Sequence, residues 1–321
     1  VLILLSVVFL IMRVMPGDPV LAMLGPKAPP KHVEALREQL GLNKPIVIQY
    51  IEYLSGLLHG DFGRSLIWGR RPVLVEIFEH FPATVELTIS SFTIAVVIGL
   101  LTGMYSAYKY ERPVDYALRL YGVVTYALFI PWFGMMLQLI FGVYLGWLPI
   151  GGRIDPGMGM YIKTITGLYI LDSILTGDFT VLASAIKHLI LPSITLGIVL
   201  SGVYTRLTRS NMIEVLRQDF ITAVRARGLP ERVVLFKHAL KNTFIPILTM
   251  MGLQFALLLA GAVLTETTFS WPGMGTFLME RILYRDFPTV QGIIVFFAIL
   301  VAIVSLVVDI LYAMLDPRVR Y

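Results

Sequence analysis

Charged residues are missing from five long windows of the chain, and these windows set the expected architecture. Residues 87–108 (22 residues), 120–152 (33), 188–205 (18), 242–265 (24) and 287–308 (22) contain no Asp, Glu, Lys or Arg. A hydrocarbon core of about 30 Å takes about 20 helical residues at about 1.5 Å each, so every window is near or above spanning length. The window 120–152 is too long for one straight crossing and should tilt or run beyond the bilayer. A further uncharged run, residues 1–12, precedes Arg13. One reading of it is a cleaved signal peptide. The preferred reading is a first membrane helix that starts upstream of the numbered chain. The expected fold is therefore an all-α integral membrane protein with six transmembrane helices. Residues 1–15 form the first, incomplete helix, 16–82 an extra-membrane segment, and 83–321 a core with helices 2–6.

The polar stretches have patterns of their own. In 16–82, Pro30 starts and Gly41 ends a helix over 30–40, and 47–58 shows apolar positions at helical spacing. This segment reads as a small helical subdomain. The stretch 147–187 is rich in Gly and Pro at its start, with 161–175 lying at the membrane interface. Pro131, Pro192 and Pro246 fall inside spans, where they either bend a transport pathway or are ordinary membrane-helix prolines. A helix over 276–285 follows a turn, with Trp271 as its interfacial anchor.

Charge gives the orientation. The connection 206–241 carries eight Lys/Arg against three acidic residues, whereas 267–288 carries two of each. The connection with Lys109, Arg112 and Arg119 and the tail with Arg318 and Arg320 are basic too. All fall on one side if the spans alternate, and basic loops stay cytoplasmic. Both termini are then cytoplasmic, and 16–82 is extracellular. The net charge of +5 thus belongs to membrane topology, and no nucleic-acid partner is implied.

Composition narrows the chemistry. Only 15% of residues are charged and 57% are hydrophobic, against about 25% and 45–50% in soluble domains. There is no cysteine, which excludes thiol catalysis and Cys-ligated metals. The five histidines are scattered, without an HExxH pair, and neither GxSxG nor the phosphate-cradling GxxxxGK[ST] occurs. No catalytic or metal site is expected. The span interiors hold no ionisable residue for a coupling ion; Glu86, Glu266 and Asp309 stand at span ends. Uphill transport would have to draw its energy from a partner protein.

The loop 206–241 is built to present a helix. Gln218-Asp219 caps a short helix over 220–227, Gly228 ends it, and Pro230 with Glu231 starts another that leads straight into the fifth span. Phe220, Ala223, Val224 and Arg227 share one face by helical spacing, which a partner could bind.

The stretch QDFITAVRARGLPERVVLFKHALKN in this loop resembles the cytoplasmic EAA loop of ABC importer permeases, in the form of the dipeptide/oligopeptide branch. MPGDP (15–19), LGLNKPIVIQY (40–50), GDFGRSL (60–66), PATVELT (82–88), HLILPSITLG (188–197), ETTFSWPGMG (266–275) and the final LDPRVRY fit in order. Together they resemble the B-type subunit of these permeases. Of the general EAA pattern only Ala223 and Gly228 match, with Thr222 at the glutamate position.

The resemblance implies a type I importer permease fold and a defined assembly. A second, homologous permease subunit completes a heterodimer, two ABC ATPase subunits use ATP and Mg, and an extracellular solute-binding protein delivers the cargo. This chain itself binds no cofactor and sits in a prokaryotic inner membrane. The coupling helix would span about 219–228, with Asp219, Phe220, Ala223, Val224, Arg225, Arg227 and Gly228 engaging an ATPase. Gln138, Ser201, Gln254, Glu266, Trp271 and Met274 are candidates for the translocation path or its outer gate; the polar ones inside spans could instead bond neighbouring helices. Residues 40–65 are a candidate docking segment for the binding protein. The expected cargo is a peptide, with oligosaccharides, nickel or glutathione as alternatives within the family. A secondary transporter or channel is the alternative from another class.

Overall fold

The computed structural model describes residues 2–14, 29–39, 43–65, 67, 70–160 and 163–315. The motif at 15–19, the expected helix stop at Gly41 and the basic tail lie outside them. The described residues are overwhelmingly helical. In order they form α1 (Leu2–Val14), α2 (Pro30–Gln39), α3 (Ile46–Leu58), α4 (Val73–Tyr108), α5 (Pro113–Ala127), α6 (Ile130–Leu137), α7 (Tyr169–Thr176) and α8 (Phe179–Leu216). These are followed by α9 (Asp219–Ala226), α10 (Glu231–Val233), α11 (Leu240–Leu259), α12 (Val263–Thr268), α13 (Met274–Leu283) and α14 (Phe287–Leu315).

Among the described residues three helices are long and apolar enough to cross a membrane: Val73–Tyr108, Phe179–Leu216 and Phe287–Leu311. The first two have 36 and 38 residues, and so outreach a bilayer core at both ends. The window 120–152 does not tilt as one rod. It breaks by 102° between α5 and α6, where Pro131 occupies the first turn of α6. A second bend of 62° falls at Pro246 in α11, so counting each bent pair as one span gives five. Pro192, by contrast, stays inside the continuous α8. The first expected span is described over 13 residues, as α1, whose Phe9 packs on Tyr50 and Tyr53 of α3. The helix α4 already begins at Val73, well ahead of its uncharged window, and carries Pro82 inside it.

The core of the bundle is the contact between α4 and α8. Both helices present small residues four apart, the spacing that lines up one face. On α4 these are Ser91, Ala95, Gly99, Gly103 and Ala107; on α8 they are Ser193, Gly197, Ser201 and Thr205, and all are buried. With so little side chain between them the backbones come close. A Cβ on Gly99 would lie 2.2 Å from Cβ of Tyr204, and one on Gly103 would lie 2.6 Å from the carbonyl oxygen of Thr205. Hydroxyl pairs cross the same seam: Ser90 with Ser193 at 2.6 Å and Thr102 with Thr205 at 2.8 Å. Packing of small residues with cross-helix hydrogen bonds is what holds helices together where lipid removes the hydrophobic driving force. The same device recurs between α5 and α8 at Gly122 and Gly202, and between α11 and α14 at Gly252 and Val308.

This packing makes a graded prediction. Gly103→Val should force the two backbones apart at a cost of about 2–3 kcal/mol, read as a lower melting temperature of the purified protein. Gly122→Ala, whose added carbon would sit 3.5 Å from its nearest neighbour, should melt close to the parent.

Candidate functional site

The basic end of the bundle carries the helix that the loop 206–241 was expected to present. Chain direction turns at Gln218, which is extended, and Asp219 in the first turn of α9 suits the positive end of the helix dipole. Ile221 and Val224 are buried. They enter a cluster made by Met104 and Ala107 at the end of α4, Met212 and Val215 at the end of α8, and Val234, Leu235 and Ala239 beyond the break. The opposite face, with Asp219, Phe220, Ala223, Arg225 and Arg227, is exposed. The expected face therefore splits. Val224 turns inward because the ends of α4 and α8 offer it an apolar socket beside Ile221, while Phe220, Ala223 and Arg227 remain outside.

The break itself is rigidly defined. Gly228 has φ +74°, a left-handed conformation that closes the helix and that any side chain would strain. No atom outside its immediate chain neighbours lies within 4 Å of where a Cβ would stand. The Arg225 guanidinium reaches across the break to Glu231 at 2.7 Å. Beyond Pro230 the chain does not continue as the plain α-helix expected over 231–241. Residues Val234–Ala239 form a wider, π-helical turn before α11. The five-residue spacing of that turn lets Val234 and Ala239 point into the same cluster as Ile221.

Beside this platform lies a clamp that sequence reading did not find. Asp115, wholly buried at the start of α5, accepts two bonds from Arg209 of α8, at 2.7 and 2.8 Å. Ser106 Oγ of α4 and the Glu111 amide donate to the same carboxylate at 2.6 and 3.0 Å. The ends of three helices are thus tied at one carboxylate. Arg209 was counted only within the charge of the loop 206–241, and Asp115 was not singled out; the available signal was an Asp at the first turn of a helix that also starts with proline.

At the far end, three segments close over α4. Arg153 forms a buried ion pair with Glu86 at 2.7 Å, donates to the Gly167 carbonyl at 2.7 Å and lies 3.7 Å from the centre of the Tyr169 ring. This pins the stretch after α6 to α4, and the Ile170 amide adds a bond to Glu86 at 2.9 Å. Arg281 of α13 faces the buried Glu76 at 3.2 Å. The hairpin between α11 and α14 docks a few residues further along α4. Its Glu266 is wholly buried and accepts from Thr84 Oγ1 at 2.9 Å and from the amides of Gly275 and Thr276 at 2.7 and 3.0 Å. Thr84 Oγ1 in turn accepts from the Met274 amide at 2.8 Å. Two side chains from outside α13 thereby satisfy its free first-turn amides. Burial pushes the Glu266 carboxyl above the usual range, against the downward pull of these three donors. Gly273 and Gly275 are required by the same carboxylate: an added Cβ would come within 2.6 and 2.9 Å of it.

The remaining expected path residues are dispersed. Gln138 donates to the carbonyls of Ile150 and Thr268 at 2.5 and 3.0 Å, tying α6 to the hairpin. Ser201 is buried and bonded to Tyr121 at 2.6 Å, so it joins two helices. Gln254 is half-buried on α11. Met274 is fully buried, and so is Trp271, whose Nε1 donates to the Ala83 carbonyl at 2.8 Å. Trp271 is therefore not an interfacial anchor. Its indole finds a pocket and a bonding partner on α4, a better place than the lipid boundary for a ring with one polar edge. The helix after it starts at Met274, two residues earlier than expected.

The clamp yields a direct expectation. Arg209→Ala would leave the Asp115 carboxylate buried without its cation, at a cost of about 3 kcal/mol. The melting temperature should drop well below that of Arg217→Ala, an exposed arginine whose guanidinium lies 5.6 Å from the Tyr110 ring.

Comparison with known proteins adds three findings. Residues 95–321 match the family model of the binding-protein-dependent transport system inner membrane component, and residues 1–98 match the N-terminal model of such membrane components. The dipeptide transport system permease protein DppB of Alkalihalophilus pseudofirmus is 44% identical over 98% of this chain and 94% of its own. The di/tripeptide permease DppB of Pseudomonas aeruginosa is also 44% identical, over 98% of this chain and 93% of its own. The glutathione transport system permease protein GsiC of Escherichia coli K12 is 38% identical, over 98% and 92%. Among solved structures, the MetNI methionine ABC transporter, in inward-facing conformations, aligns with a TM-score of 0.56 at 13% identity. The alignment covers 76% of this chain and 97% of that one. At that identity the likeness concerns the fold.

Proposed function

The chain belongs to the family of inner membrane components of binding-protein-dependent transport systems, and on that premise we propose that it forms half of the translocation path of an ATP-driven peptide importer. It is a transport subunit, and hydrolysis of ATP with Mg falls to partner ATPases. The partners in this reading are a second homologous permease, two ATPase subunits and an extracellular solute-binding protein. The basic end faces the cytoplasm, with both termini there. Peptide cargo is favoured over glutathione, nickel or sugars because the first relatives named above carry di- and tripeptides.

One observation carries the mechanism: α9 stands on a socket made by the ends of α4 and α8, with Phe220, Ala223, Arg225 and Arg227 exposed on its outer face. A partner pressing on that face pushes on the two helices that form the core contact. The left-handed Gly228 and the Arg225–Glu231 pair hold α9 at a set angle to the run entering α11, so the push also reaches the bend at Pro246. Val224 seats the coupling helix in its socket, and Asp219 supports its first turn from the exposed side. At the far end the hairpin with Glu266, Trp271 and Met274 closes the path, and Gln138 steadies it. Gln254, half-buried and within a span, is our candidate for a cargo-facing residue, whereas Ser201 serves packing. Residues 40–65, of which 43–65 are described, are the proposed docking segment for the binding protein.

Reconstitution with the partner subunits in vesicles tests the reading: uptake of labelled dipeptide should require ATP and the binding protein. Uptake that persists without ATP and collapses with the ion gradient would favour a secondary transporter. Gly228→Val should leave assembly intact yet separate hydrolysis from uptake, because the strain of about 1 kcal/mol falls on the angle of α9 rather than on any packed contact. Unchanged stoichiometry of ATP to peptide would remove the coupling role from this break.

A further inference from the structure

We propose that Thr84 and Trp271 form a separable seam between α4 and the far-end hairpin, and that Glu266 keeps the hairpin side of that seam a single rigid unit. This rests on the reading of the chain as an importer subunit, in which one end must open as the other closes.

The bonding pattern divides in two. Within the hairpin, the Glu266 carboxylate takes the amides of Gly275 and Thr276, and its carbonyl takes the Trp271 amide at 2.8 Å. Thr276 Oγ1 donates back to the Trp271 carbonyl at 2.8 Å. Gly261 and Gly275 allow α12 and α13 to meet so closely that a Cβ on Gly261 would lie 3.1 Å from the Gly275 nitrogen. These contacts make α12, the turn and α13 one body. Across to α4 three hydrogen bonds converge on Ala83 and Thr84: Trp271 Nε1 to the Ala83 carbonyl, the Met274 amide to Thr84 Oγ1, and Thr84 Oγ1 to Glu266. Nearer the start of α4 the Arg281–Glu76 ion pair and the packing of Met274 and Phe277 on Val73 and Ile77 join α13 to α4. Glu266 forms no ion pair among the described residues; its compensation comes from the first turn of α13, within its own body. The carboxylate therefore travels with the hairpin when the seam parts, and parting breaks the three hydrogen bonds at Ala83 and Thr84 together with the Arg281–Glu76 pair. Thr84 and Trp271 act as positioning residues for closure.

The test uses the full reconstituted complex. This subunit has no cysteine, so Val75→Cys on α4 and Met279→Cys on α13, both at exposed positions, take spin labels without background from it. In the parent protein one short distance should dominate in the absence of ATP and binding protein. Thr84→Val and Trp271→Phe should each add a longer-distance population and raise binding-protein-independent ATP hydrolysis about tenfold, the shift expected from losing one or two net hydrogen bonds. Thr84→Ser should behave as the parent. Parent-like distances and parent-like hydrolysis in both Thr84→Val and Trp271→Phe overturn the proposal, as does a Thr84→Ser variant as impaired as Thr84→Val. A parent complex without ATP-driven uptake overturns the underlying transport reading instead, whatever the labels report.

Discussion

Close approach of two backbones, α4 and α8, is the constraint on which the rest of the molecule depends. In lipid no apolar side chain gains much by leaving its surroundings, so helices are held by packing and polar contacts across the seam. Glycine, alanine and serine at every fourth position give that packing its depth, and the Ser and Thr hydroxyls give it register. Because α4 and α8 are locked together along the middle, their two ends become fixed platforms. Everything with a functional reading is attached to one platform or the other.

At the basic end the platform is an apolar socket that receives Ile221 and Val224; at the far end it holds Trp271 and Phe277 in apolar clusters and adds directional bonds to Glu266, Trp271 and Arg153. The difference has a physical sense. A short helix that must take a push is best seated by a packed apolar socket, which transmits displacement without a bond to break. The hairpin adds hydrogen bonds at Ala83 and Thr84 to its packing, and these fix its register on α4. The buried pairs Asp115–Arg209 and Glu86–Arg153 stand beside these two attachments and tie the flanking segments to the same helices.

Much of this was legible from residue order. The uncharged windows gave the long helices, Pro30 and Pro230 marked helix starts, and the Gly-Leu-Pro break placed the end of α9 at Gly228, because these signals depend only on local backbone physics. The face of α9 was read half correctly. Spacing alone groups Phe220 with Val224, and only the socket left by Met104, Ala107 and Met212 tells which of them turns inward. Trp271 was misread because a tryptophan near a span end suits the lipid boundary equally well, and its partner, the Ala83 carbonyl, is 188 residues away.

The sequence by itself determined the class of protein, the placing of most membrane helices and the presence of an exposed basic helix in the loop before α11. These follow from hydrophobicity, helix length and the conformations open to Gly and Pro, all local properties. Tertiary structure alone decided the pairing of Asp115 with Arg209 and of Glu86 with Arg153, the role of Glu266 as cap of α13, the 102° break of the third span and the π-helical turn before α11. Each of these depends on which surface a distant segment offers, and a charge, a carboxylate or a helix turn carries no mark in the chain of the partner that will satisfy it.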